Sequence, residues 1–140
     1  MTREKSSYAV QTVEKALDIL ETLTEDEWAL IRQHPQKGAE YLLGSPGVPR
    51  LAVINAYEHH LHYNLRGYPR VGDDWRQNLC SQMTTIADIF DSLRTRRSYH
   101  EPLTLDAVLT RLEELKGAQL HPALTDNFVN LMRRVHPELS

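Results

Sequence analysis

An all-α helical bundle is the fold class this sequence predicts, and three observations predict it. Apolar residues recur at helical spacing along most of the chain, no segment makes a convincing strand, and Gly and Pro mostly fall between the periodic stretches. At 140 residues the chain has the size of one domain with one substantial core. Short polar connections between amphipathic helices suit a bundle of about six helices.

The elements follow in order. From Tyr8 to Leu23, Val13, Ala16, Leu17 and Leu20 share one helical face. Thr24-Glu25-Asp26-Glu27 is a capping box and opens a second helix carrying Trp28, Leu30 and Ile31. Pro35 cannot donate to the helical ladder and disfavours helical geometry at His34, so a kink or restart is expected there. The helix then resumes through Ala39, Tyr41, Leu42 and Leu43 and stops near Gly44. After the Ser45-Pro46-Gly47 turn, Pro49 suits the first position of a helix running to about His60. Leu65 to Asp73 reads as an irregular loop. A long helix is expected from about Asp74 to Leu93, with Leu79, Met83, Ile86, Ala87, Phe90 and Leu93 as its apolar stripe. Arg94 to Pro102 is a basic loop, Thr104 caps a helix ending near Gly117, and Pro122 starts a last helix reaching Arg134.

Composition narrows the functions. Apolar residues are 41% and charged residues 25% of the chain, ordinary for a globular protein. The net charge of -3 offers no global basic field, so DNA is not an expected partner. The one cysteine, Cys80, excludes an internal disulfide and fits a cytoplasmic location. No apolar run reaches the roughly 18 residues of a membrane span, and the first residues lack the apolar core of a signal peptide.

The chemistry concentrates in Glu58-His59-His60-Leu61-His62-Tyr63-Asn64-Leu65-Arg66-Gly67-Tyr68-Pro69. Imidazole is the commonest protein ligand for zinc, iron and related metals. The Gly-Tyr-Pro turn can set a stacking ring and a phenol beside whatever such a metal acts on. Adjacent histidines on a helix diverge by about 100°. They would therefore serve two neighbouring ions, or one ion and one substrate oxygen, rather than chelate a single ion. Two further positions offer ligands: His34 at the proline break, and Asp88 beside the stripe of its helix with Thr84 and Asp91 on the same side. Against this, the chain has seven histidines, an adjacent pair among them is unremarkable, and no HExxH or CxxC pattern is present.

Taken in order, the motifs resemble a known family. They are Leu23-Thr24-x-x-Glu27-Trp28, His34-Pro35-x-x-Gly38, His59-His60 with Gly67-Tyr68-Pro69, Ile86-Ala87-Asp88-x-x-Asp91-x-Leu93, Arg97-x-Tyr99 and Leu120-x-Pro122. The sequence resembles the HD-GYP family, bacterial metal-dependent phosphodiesterases that hydrolyse the signalling molecule cyclic di-GMP. The resemblance runs from about Leu23 to Val135 and implies a single, partial HD-GYP-like domain over 1–140 with a non-matching helix at 1–22. It implies that His34, His59, His60 and Asp88 ligate a cluster of divalent metal, iron or manganese. It also implies that Tyr68 contacts the nucleotide and that Arg97 grips a phosphate, a task suited to a guanidinium.

The departures carry equal weight. The family's His-Asp dyad and following Ile-Gly-Lys should lie a little upstream of the Leu-Thr segment, yet no histidine precedes Thr24 and the only aspartate there is Asp18. Leu61 stands where the family has Glu, Asn64 where it has Asp, and Leu65 where it has Gly. The family's Arg-Pro-Tyr-Lys reads Arg97-Ser98-Tyr99-His100. Three histidines and one aspartate can hold one ion of zinc or iron type, whereas the family's hydrolysis uses bridged metals. Little or no phosphodiesterase activity is therefore expected from these residues alone. Either the missing ligands lie upstream of Met1, or the chain is a degenerate module that binds a nucleotide or a protein partner. A site completed across a homodimer is a third expectation.

Overall fold

The computed structural model describes residues 24–95 and 101–137. Six helices run through them: α1 (Glu25–Ile31), α2 (His34–Leu43), α3 (Arg50–Glu58), α4 (Leu79–Arg94), α5 (Leu105–Leu115) and α6 (Pro122–Val135). The described residues hold no strand, only the isolated bridges Leu61–Gly67 and Lys116–Leu120. The fold is all-α, as the periodicity predicts. The helix expected over Tyr8 to Leu23, and with it the 1–22 segment, lies outside the described residues.

The caps explain the boundaries. Thr24 Oγ1 accepts from the Glu27 backbone N–H at 3.3 Å, and Glu27 Oε2 accepts from the Thr24 N–H at 2.8 Å, closing the predicted capping box. The Thr24 N–H and the Thr24 hydroxyl, each 2.8 Å from Glu27 Oε2, hold the Glu27 carboxyl below its ordinary pKa. The break at the proline is complete rather than a kink: Arg32 and Gln33 form a turn, and His34 opens α2 with Pro35 buried at its second position. Thr104 Oγ1 caps α5 by accepting from Ala107 N–H at 3.3 Å, and Pro122 begins α6.

Consecutive helices pack on one another from α2 through α6, and α4 also touches α6. The apolar core sits at one end. Ile86 of α4, Leu105, Val108, Leu109 and Leu112 of α5, Leu120 of the α5–α6 turn and Val129 of α6 form one buried cluster, with Ile89, Phe90, Leu93 and Phe128 packed against it. Fully burying each such side chain contributes about 1.5–3 kcal/mol.

Two expectations for α4 need correction. The helix begins at Leu79, not near Asp74, because Asn78 takes the N-cap position and its Oδ1 accepts from Cys80 N–H at 2.9 Å. The expected stripe is also rotated in the first turns. Leu79 and Met83 remain 53% and 50% exposed, whereas Ser81, Gln82 and Thr85 are buried. The reason is the neighbour: this half of α4 packs on the histidine loop, whose backbone carbonyls need donors. None of the helices among the described residues is long and apolar enough to cross a membrane.

Candidate metal centre

Two helix ends aim the first two histidines at each other. His34 follows the α1 terminus and its Nδ1 lies 2.7 Å from Ile31 O; His59 caps α3 and its Nδ1 lies 2.8 Å from Ala56 O. Carbonyls in the last turn of a helix have no partner within the helix. An Nδ1–H donated to each one satisfies that carbonyl and fixes the tautomer, leaving Nε2 as the lone-pair atom. The two Nε2 atoms stand 3.2 Å apart. Two lone pairs at that separation repel unless a cation lies between them. Ligand nitrogens on one ion, each at about 2.1 Å from it, are about 3.0–3.4 Å apart, so this spacing fits a shared ion.

His60 completes a triad. One candidate ligand atom from each of His34, His59 and His60 lies within 4.8 Å of the others. The His60 ring centroid is 4.2 Å from that of His59 and 4.9 Å from that of His34. Burial, and then the positive charge that His59, His34 and His62 carry when protonated, pull His60 from the usual 6.5 down to about 4. At neutral pH its nitrogen is therefore free to ligate. The expectation that the adjacent histidines diverge assumed that both are helical. In fact α3 ends at Glu58, and beyond it the backbone turns so that the rings converge.

The loop is held from beneath by a residue that sequence reasoning passed over. Glu58 is only 2% exposed; its Oε1 accepts from Trp75 Nε1–H at 2.9 Å and its Oε2 from Asn78 N–H at 2.8 Å. These bonds pin 75–78 against α3 and so delay the start of α4. Gln77 Nε2 donates to Leu61 O at 3.2 Å, and Thr85 Oγ1 lies 2.9 Å from His59 O. The available signal was Glu58 sitting four residues after Ile54, on one face of α3.

The three substitutions within the motif have distinct local consequences. Leu61 is 1% exposed, so an apolar side chain suits its surroundings and a carboxylate there would have to be buried. Asn64 Oδ1 accepts from Arg66 N–H at 3.1 Å, a local turn that either Asp or Asn can make. Leu65 has φ 61°, the left-handed region that glycine enters freely and leucine does not. Gly67 at φ 105° is obligatory: a Cβ there would lie 2.5 Å from His60 O. Tyr63 N–H and Asn64 N–H donate to Gln119 O and Ala118 O, tying the loop to the α5–α6 turn.

Of the other predicted site residues, Tyr68 stacks on His60 with centroids 4.6 Å apart and planes 23° from parallel. Burial raises its phenol pKa, while the Arg32 charge opposes and the Asp88 charge reinforces that shift. Asp88 is exposed on α4, one turn after Thr85, and within electrostatic reach of Tyr68. It does not join the group of ligand atoms formed by the three histidines. Arg97, Tyr99 and His100 lie outside the described residues.

A profile of the HD domain family matches residues 11–124. A cyclic di-GMP phosphodiesterase response regulator of Xanthomonas campestris is 36% identical over 107 residues, 74% of this chain and 28% of that protein. A 3′3′-cGAMP-specific phosphodiesterase of Vibrio cholerae is 34% identical over 107 residues, 74% of this chain and 20% of its own length. A cyclic di-GMP phosphodiesterase of Thermotoga maritima is 27% identical over 114 residues, 81% of this chain and 31% of that protein. The chain thus spans less than a third of the length of each of these relatives. It belongs to the HD domain family and, by the order of its motifs and by these relatives, to the HD-GYP branch.

Proposed function

We propose that these residues form an HD-GYP domain with a metal centre reduced to one divalent ion, iron or manganese, and that it binds cyclic di-GMP or a related cyclic dinucleotide with little hydrolysis. The observation that supports this best is the pair of Nε2 lone pairs 3.2 Å apart, each fixed by an Nδ1 contact to a helix-end carbonyl. In this reading His34, His59 and His60 are ligands, and Asp88 supplies a further oxygen from α4 by a side-chain rotation. Tyr68 contacts the nucleotide with its phenol, and Arg97 grips a phosphate. The ion supplies Lewis acidity toward phosphoryl oxygens. The protein's share is to hold three neutral nitrogens in place and present a phenol at the edge of the site. Three neutral ligands and one carboxylate leave a second ion with few anionic donors, so bridged-metal hydrolysis is not sustained by these residues.

The test is turnover of cyclic di-GMP by the purified chain loaded with iron(II) or manganese(II). Binding by calorimetry with no linear product by chromatography is expected. Turnover accompanied by more than one ion per chain would contradict the reading. A protein-binding role is a second reading, favoured by Tyr41 and Leu43 standing 77% and 76% exposed on α2. A monomeric mass by light scattering, with no loss of solubility on replacing both by serine, would count against a self-association surface there.

A further inference from the structure

Beside the histidine triad a cleft of about 680 Å³ opens between the end of α1, the first turn of α2 and the Gly67–Arg70 segment. Its size suits a nucleotide-sized ligand. Of the ten residues that line it, none is acidic and two, Arg32 and Arg70, are arginines. This is unexpected in a chain of net charge -3, where carboxylates outnumber cations. Neither arginine makes an ion pair with a described residue. The remaining polar surface comes from Gln33, Gln36, His62 and Tyr68.

Arg32 is the better placed of the two. Its guanidinium lies over the Trp28 ring, 5.9 Å from the centroid, a cation–π contact that restrains the long side chain without using its N–H donors. Its charge reaches the Tyr68 phenol, whose ring stacks on His60. It also sits in the two-residue turn before His34, so the cation and a candidate metal ligand are carried by the same break in the chain.

We propose that Arg32 and Arg70 form an anion clamp for a phosphodiester, with Trp28 holding Arg32 in position beside the metal centre. The proposal deepens the reading given above and rests on it for the choice of cyclic dinucleotide as ligand. The clamp gives the site cationic donors from the turn after α1 and from the Gly-Tyr-Pro loop, neither of which carries a lysine at the cleft. An exposed guanidinium with five donors in a planar fork matches a phosphate bidentately, and a lysine does so less well.

The experiment titrates the manganese-loaded chain with cyclic di-GMP and, separately, with inorganic pyrophosphate, in wild type, Arg32→Gln and Arg32→Lys. Metal content and thermal melting are measured on each variant. Arg32→Gln should weaken binding by about tenfold to a hundredfold, the effect of losing a charge-assisted pair, with metal content unchanged. Arg32→Lys should recover part of the loss, and the wild-type affinity should fall with added salt. Cyclic di-GMP bound equally well by all three would overturn the clamp and leave the proposed function standing. Pyrophosphate bound through Arg32 with no affinity for cyclic di-GMP would support the clamp and overturn the proposed function. Binding of neither anion would overturn both.

Discussion

Helix α4 divides the molecule into two halves built on different physics. Its later turns place Ile86, Ile89, Phe90 and Leu93 in the apolar cluster with α5 and α6. Its earlier turns bury Ser81, Gln82 and Thr85 on the loop that carries His59 and His60. The first half gains stability from area removed from water, which is non-directional. The second is organised by directional bonds around Glu58, and it contains every buried side-chain atom left without a protein partner among the described residues: Asn55 Oδ1, Gln77 Oε1, Ser81 Oγ and Gln82 Oε1. Such atoms cost stability. This fold thus keeps its stability in α5 and α6 and spends it on positioning histidines near α3.

The apolar half should respond most strongly to a change in its core. Leu112→Ala removes a fully buried side chain and should cost about 2–5 kcal/mol in chemical denaturation. Metal affinity of the remaining folded protein should be unchanged; a parallel loss would show that the two halves are not separable. Glu58→Gln should cost less stability, about 1–3 kcal/mol, because one buried acceptor becomes a donor facing an N–H. It should nevertheless weaken metal binding about 10–100-fold, the usual effect of a support one layer behind the ligands. Unchanged affinity in metal titrations would demote Glu58 to packing alone.

Acid should loosen the polar half first. The pKa of His60 in the folded, metal-free chain is about 4, below its ordinary 6.5, so the unfolded chain binds the extra proton more readily in that interval. Stability from this group is present above about pH 6.5 and is lost as pH falls toward 4. Thermal melts of the metal-free chain should show that slope, and His60→Asn should flatten it; an equal slope in both would contradict the assignment. The smallest effect belongs to Leu65. Leu65→Gly relieves a left-handed leucine and should stabilise by at most about 1 kcal/mol, since the added freedom of the unfolded chain offsets part of the gain. A destabilised Leu65→Gly variant would show that the leucine side chain is held by packing.

Much of this architecture was legible in the sequence because its signals are local. Thr24, Thr104 and Pro122 begin helices where their side chains say they should, and His34-Pro35 marks a true break. What was not legible depended on contacts distant in sequence. Glu58 reaches across to Trp75 and Asn78, 17 and 20 residues away, and thereby sets where α4 starts. The convergence of His59 and His60 followed from a helix ending at Glu58, two residues earlier than the spacing argument assumed. Periodicity placed Leu79 and Met83 on the core side because it cannot know that the neighbouring loop offers carbonyls rather than methyl groups. The cleft arginines were missed for a similar reason: Arg32 and Arg70 come together only through the fold.

If His34, His59 and His60 hold a single ion, metal stoichiometry will show it directly. The chain would be reconstituted with manganese(II) or iron(II), freed of excess ion, and analysed by elemental mass spectrometry beside His59→Ala. One ion per chain in the parent, lost in the variant, is the predicted result. Two ions per chain, or undiminished loading of His59→Ala, would contradict it.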